Sequence, residues 1–280
     1  MKKLLKKFFS VLLVFSILIG IGLVLYPTVS NLINDVTNKS NYKNYDNTVK
    51  TLTSNDKNNL LSKAKEYNRI IASKYFNSSL TEEYKKISNE YENIMNFGEG
   101  IICYIDIPKI NVSLPVYHET VDNVLTKGSA HLKNSSFPLG EKTSHTVISA
   151  HSGFPQQKFF DDLDELKKGD TFRLRVLSNT YYYKVKSINI VNPNDNSKLK
   201  IIQNKDLVTL VTCYPYSINT HRLLVTGERY IPTQEQKKTL TNYYRIDKFN
   251  ILTYIILLLG YSIIFWKVKT NGRKQIITRT

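Results

Sequence analysis

Cysteine is scarce: two residues in 280 allow at most one disulfide, which excludes a cystine-stapled scaffold. Glycine (11) and proline (8) are not enriched, so collagen-like and polyproline architectures drop out. With 41% hydrophobic and 22% charged residues, and a mean hydropathy of −0.29, the chain is not a polytopic membrane protein. Its length suits one sizeable folded domain plus extras. Acidic residues are missing from both ends. Lys2, Lys3, Lys6 and Lys7 precede the first apolar run, and Lys267, Lys269, Arg273, Lys274 and Arg279 follow the last. These nine cations leave only +7 of the net +16 for the rest of the chain, scattered as lysine among Asn and Ile, so no nucleic-acid partner is expected.

Two long hydrophobic runs are present. Residues 8–26 form a nearly unbroken apolar stretch of the length that spans a hydrocarbon core. It ends in Tyr26-Pro27-Thr28-Val29-Ser30, a poor cleavage site, which favours an uncleaved anchor over a signal peptide. Residues 250–268 are the second candidate span, with Trp266 suited to an interface. Basic residues flank the outer end of each run, so both tails (1–7 and 269–280) are expected in the cytoplasm and residues 27–249 outside. Residues 27–66 read as a polar stalk running into a helix, and 232–249 as a linker.

The period then changes. Leu60, Ala64, Tyr67 and Ile71 share one helical face, Ser79 and Glu82 fit a capping box, and Tyr84, Ile87, Tyr91 and Ile94 repeat at helical spacing. Two amphipathic helices are therefore expected over 67–98, joined near Tyr75 to Ser79. Within 99–231 the period is two. Strands are predicted at 101–107, 112–117, 146–150, 172–177, 181–190, 207–213 and 223–225, with one helical stretch at 159–166. Many short strands with one helical insert point to a mainly β fold, a closed or nearly closed barrel.

Cys213 ends the apolar strand Thr209-Leu210-Val211-Thr212-Cys213, and the chain resumes as a strand at Arg222. Antiparallel pairing across loop 214–221 puts the guanidinium beside the thiol, where a cation favours thiolate and can hold a developing oxyanion. His151 stands where the strand 146–150 gives way to Ser152-Gly153, a rim position from which an imidazole can act as acid or base. Each residue alone also fits a bland role: small buried hydrophobe, satisfied histidine, solvated cation. His118, His131, His145 and His221 lack metal-ligand spacing, and there is no Gly-rich phosphate loop, so neither metal nor cofactor is expected. Cys103, in the first strand, reads as core.

The string from Thr209 to Cys213, with Asn219-Thr220-His221-Arg222-Leu223-Leu224-Val225 after it, resembles the active-site signature of sortases. The resemblance extends upstream through Tyr104-Ile105-Asp106-Ile107-Pro108-Lys109-Ile110, Leu114-Pro115-Val116-Tyr117-His118 and Ser149-Ala150-His151. It covers roughly residues 60–231 and, with the second span, is most similar to the class C, pilin-polymerising sortases. It implies a closed β-barrel of about eight strands, preceded by amphipathic helices and flanked by two transmembrane helices. It also implies a Gram-positive surface transpeptidase with Cys213 as nucleophile, His151 as general acid/base and Arg222 steadying the substrate carbonyl and its oxyanion. The implied partners are LPXTG-type surface or pilin proteins and an acceptor amine, a pilin lysine or a cell-wall peptide.

The sequence departs from class C at one place. Such enzymes carry an Asp-Pro-aromatic lid motif ahead of the barrel, yet no proline lies between Pro27 and Pro108. The equivalent stretch Lys74-Tyr75-Phe76-Asn77-Ser78-Ser79 keeps only aromatics, so Tyr75 and Phe76 are the candidate lid contacts. Tyr214 and Ser217 stand where the family often has threonine and glycine. Competing readings are a wall-anchoring sortase, a papain-like protease (disfavoured because Cys213 ends a strand rather than starting a helix) and a tethered structural or adhesive β-domain.

Overall fold

The computed structural model describes residues 2–76, 81–97, 99–119, 123–154 and 157–241, with Gly260. The chain divides into two compact units, residues 31–245 and residues 1–30 with 246–280. Of the latter, the described part is essentially the first stretch of helix α1 (Lys2–Thr51). There Phe8, Leu13, Leu18 and Leu23 are exposed. Among the described residues, whose longest uninterrupted stretch of described side chains in the apolar run is 11–26, no helix is long and apolar enough to cross a membrane. The expected second span and the basic tail lie outside the described residues, Gly260 excepted.

In the barrel unit the stretch expected as a stalk is helical to Thr51, and its end packs on the barrel. The Tyr42 and Tyr45 rings sit 5.1 and 5.3 Å from that of Tyr104, and the Tyr45 hydroxyl accepts the Leu177 N–H at 2.9 Å. Helix α2 (Ser54–Phe76) starts earlier than the apolar spacing suggests, because Thr53 caps it. The Thr53 hydroxyl accepts the Asp56 N–H, and the Asp56 carboxylate accepts the Thr53 N–H. Asn68 on its buried face holds the Phe137 backbone through both N–H and C=O. Helix α3 (Thr81–Asn89) follows; the joint 77–80, with Ser79 of the proposed capping box, lies outside the described residues.

Eight strands close the barrel: β1 (Ile101–Ile107), β2 (Val112–His118), β3 (Ser129–His131), β4 (Ser144–Ser149), β5 (Thr171–Val176), β6 (Asn179–Val191), β7 (Asp206–Tyr214) and β8 (His221–Tyr230). Their order is β1-β2-β3-β4-β7-β8-β6-β5, closed by β5 on β1. The β2–β3 and β4–β7 pairs are parallel, and the other pairs are antiparallel. The helical stretch expected at 159–166 is only a 3-10 turn at Leu163–Glu165; Phe159, Phe160 and Leu163 owe their apolar character to full burial, not to a helix face. Inside the barrel Ile105, Val116, Ile148, Leu174, Val208, Leu210 and Val225 are buried. Gly227 is required where β8 crosses this core, since a Cβ there would meet the Phe172 ring at 2.6 Å.

Two buried carboxylates tie strands together. Asp106 takes Arg173 Nε at 2.9 Å, Arg175 Nη2 at 2.7 Å and the Ser113 hydroxyl at 2.8 Å, joining β1, β2 and β5. Asp206, 6% exposed, accepts from the Tyr183 and Ser144 hydroxyls at 3.2 and 3.4 Å, with Arg229 Nε at 3.7 Å. Burial raises the Asp206 pKa to about 6, against the opposing pull of Tyr183 and Arg229. The folded state therefore holds a proton the unfolded chain has released, and the Asp206 contribution to stability is lost as pH rises from about 4 to about 6. Buried histidines work the other way. His131 is pulled down to about 3 and His118 and His145 are lowered, mainly by burial, so their contribution is lost as pH falls below the ordinary histidine range. Comparison with a variant isolates the first effect. In thermal unfolding across this range, Asp206→Asn should gain on the parent as pH rises, by roughly 3 kcal/mol at the upper end. A difference that does not change with pH rules the assignment out.

Candidate active site

The register of three strands assembles one end of the barrel. On the antiparallel β7–β8 pair Cys213 lies directly opposite Arg222, and Tyr214 opposite His221. Both strands run further than the apolar pattern indicates, leaving a shorter connecting loop than 214–221. The β4–β7 pair is parallel with Ser149 beside Val211, so His151, two residues on, reaches the level of Cys213. Side chains reinforce that register. The Ala150 N–H donates to Val211 O at 3.1 Å, the Thr212 hydroxyl to Ala150 O at 2.9 Å, and the Ser152 hydroxyl to Cys213 O at 2.8 Å. The structure thus brings Cys213, His151 and Arg222 to one rim.

Cys213 is a partly exposed free thiol. Arg222 is fixed rather than swinging: Nη1 donates to Asn219 O at 3.2 Å and to His221 O at 2.9 Å. That leaves the rest of the planar fork available to a developing anion. His151 lies parallel to the Phe154 ring, 7° between planes and 5.5 Å between centroids. Near this rim, loop 215–220 approaches Gly153, where a Cβ would sit 3.6 Å from Tyr216 and Ser217. Ser217 has φ +63, the left-handed region that favours glycine. The other cysteine does not take part. Cys103 is fully buried in β1, free, and its thiol pKa is pushed up by burial.

The remaining histidines are structural or peripheral. His118 binds Gly100 O and Ile94 O, His131 binds the Tyr91 hydroxyl and Ser136 O, and His145 binds Lys200 O and the Thr209 hydroxyl. His221 contacts the Thr220 hydroxyl. Among the described residues no group of His, Cys, Asp and Glu could hold a metal ion.

The candidate lid contacts are not brought to this rim. The Tyr75 and Phe76 rings pack on each other at 5.2 Å. Phe76 lines a cavity of about 770 Å³ with Lys65, Arg69, Ala72 and residues 141–144. Residue 144 begins β4, whereas His151 follows its end, so this cavity opens against the opposite end of that strand. What sequence reasoning missed lies in the loop after His151: Ser152, Phe154 and Asp161. The two N–H groups of Gly153 and Phe159 both donate to the Asp161 carboxylate, at 2.9 and 2.8 Å. Only the Ser-Gly pair directly after His151 hints at it in sequence.

A closed barrel that presents a strand-end thiol, an imidazole and an anchored guanidinium on one rim is laid out for acyl transfer through a cysteine. The sortase domain model matches residues 105–230. Sortase C1 of Streptococcus agalactiae is 39% identical, covers 68% of this chain and 97% of its own, and superposes with a TM-score of 0.61. Sortase C of Clostridium perfringens, solved with the C-terminal cell wall sorting motif, is 38% identical over 69% of this chain and 99% of its own, TM-score 0.59. Sortase D of Bacillus subtilis is 34% identical over 45% of this chain; the match spans only 62% of that relative's length. The chain belongs to the sortase family, a family of cysteine transpeptidases, and its structural neighbours are class C sortases.

Proposed function

We propose that this chain is a membrane-anchored transpeptidase that cleaves an LPXTG-like sorting signal between Thr and Gly and passes the acyl group to an amine, a pilin lysine. The observation that carries the reading is the register that puts Cys213 opposite Arg222 and level with His151. As His151 takes the Cys213 thiol proton, the sulfur attacks the threonine carbonyl; the carbonyl oxygen becomes an oxyanion facing the Arg222 guanidinium. Collapse breaks the C–N bond as His151 gives a proton to the departing glycine amine, leaving a thioester. The acceptor amine then attacks the thioester, His151 takes its proton, and the Cys213 thiolate leaves. The sorting motif bound to the Clostridium perfringens neighbour supports the substrate class.

Anchoring rests on the sequence: the apolar run 8–26 in helical α1, the run 250–268, and basic flanks that put both termini in the cytoplasm and the barrel outside. Transfer to a cell-wall peptide is the second reading. The position of Phe76 away from the rim favours it, because pilin-class enzymes plug their site from that segment. The full chain in detergent micelles, given an LPXTG peptide with a lysine peptide and a wall-type peptide amine in competition, should show a Cys213 thioacyl adduct by mass and a product joined mainly to lysine. Absence of the adduct sinks the transpeptidase reading; a product on the wall peptide alone replaces the pilin acceptor.

A further inference from the structure

His151 has a problem that its position on the rim does not solve. It lies just past the end of β4, and rotation of an imidazole about its last side-chain bond is broad. A proton donor and acceptor must nevertheless hold its ring in one plane through two transfers. Among the described residues the one ring stacked on His151 is that of Phe154, nearly coplanar at 7°. Phe154 is held in turn: its ring leans on Phe159 at 5.8 Å, and Phe159 is fully buried.

The backbone carrying these rings is closed into a loop by a side chain. Asp161 receives the N–H of Gly153 on one carboxylate oxygen and that of Phe159 on the other. The Phe160 N–H donates to His151 O at 2.9 Å, and Gly153 takes φ +77 to make the turn. The Ser152 hydroxyl fastens the same loop to the carbonyl of Cys213. Residues 151–154 and 157–161 are therefore tied to each other and, through Ser152, to the nucleophile strand.

We infer that Phe154, held by the Asp161 clamp, is the positioning residue that sets the plane of the His151 imidazole. Phe154 touches no reacting atom; it acts through His151, and the inference rests on the reading of His151 as acid/base. Phe154→Leu keeps apolar bulk but removes the flat face, while Phe154→Tyr keeps the face. Asp161→Asn replaces one acceptor oxygen by an NH2 group that confronts a backbone N–H, opening one arm of the clamp.

The test uses the full chain in detergent micelles, with two readouts. In steady-state kinetics on an LPXTG peptide, Phe154→Leu should lower kcat about tenfold or more, a fraction of what a general acid/base supplies, with KM within about twofold. Phe154→Tyr should match the parent, and Asp161→Asn should fall between. In NMR of histidine ring carbons, the His151 signal should be single in the parent and in Phe154→Tyr, and doubled or broadened in Phe154→Leu. An unchanged kcat and an unchanged signal in Phe154→Leu overturn the inference, as does a kcat loss accompanied by equal changes in KM and Tm. A parent inactive on the peptide, whose His151 signal still follows Phe154, refutes the transpeptidase reading and leaves the positioning role standing.

Discussion

Cys213→Ala should remove thioacyl formation and lower transfer at least about 10⁴-fold, the scale on which losing a covalent nucleophile acts. The chemistry leaves no substitute. The only other thiol, Cys103, is fully buried in β1, and burial raises its pKa, so it stays protonated and out of reach. The variant should fold normally, because Cys213 is partly exposed at the rim and its structural tie, the hydrogen bond from Ser152, goes to its carbonyl. Cys103→Ala is the matching control. It trims a buried side chain and should cost on the order of 1 kcal/mol of stability while keeping activity. Intact mass after incubation with an LPXTG peptide reads both: adduct absent in Cys213→Ala, present in Cys103→Ala. The reverse pattern would assign the wrong cysteine.

The strands were legible where apolar residues alternate. β1 is predicted to the residue, and β2, β4, β5, β6 and β7 within about two residues at each end. β3 was not legible. Ser129-Ala130-His131 is three residues with no apolar alternation, and it becomes a strand only because parallel β2 and antiparallel β4 pair with it and bury it. The docked end of α1 carries a readable stripe, Tyr42, Tyr45 and Val49, at helical spacing. Asn, Lys and Asp on the other faces hid it, and the stretch read as a stalk.

The site divides the same way. Cys213 and Arg222 are neighbours through a hairpin, so a short loop between two strand patterns suffices to place them. His151 is 62 residues away and joins them only through the parallel β4–β7 pair, a contact that no local spacing encodes. Its place at the end of an apolar strand made it a candidate, and resemblance to a family set it above the bland reading of a satisfied histidine. Asp161 is further still from legibility: an acid among Phe159, Phe160 and Asp162 looks like any solvated loop carboxylate until two backbone donors are seen on it. The aromatics Tyr75 and Phe76 are a different case. Their position in the chain matches a lid, but α2 follows its buried face along the 132–143 loop and delivers Phe76 to the cavity beside the start of β4.

Arg222→Ala should lower kcat/KM about 10²- to 10³-fold, with the loss mainly in kcat, because the guanidinium acts on charge that exists only as the threonine carbonyl becomes tetrahedral. This corresponds to about 2.7–4 kcal/mol of transition-state stabilisation. Arg222→Lys separates charge from geometry. A lysine restores the positive charge but not the planar fork, in which Nη1 is spent on the carbonyls of Asn219 and His221 while other N–H groups stay free. An ammonium group held by the same two carbonyls has one N–H left and no fixed direction for it, so Arg222→Lys should recover only part of the loss. Rates of transfer from an LPXTG peptide, with Tm measured alongside to confirm an intact barrel, decide between the possibilities. Full activity in Arg222→Lys would mean that the charge alone matters and the anchoring by loop 215–220 is incidental. A loss under tenfold in Arg222→Ala would remove Arg222 from the oxyanion site altogether, leaving that role to backbone N–H groups at the same rim.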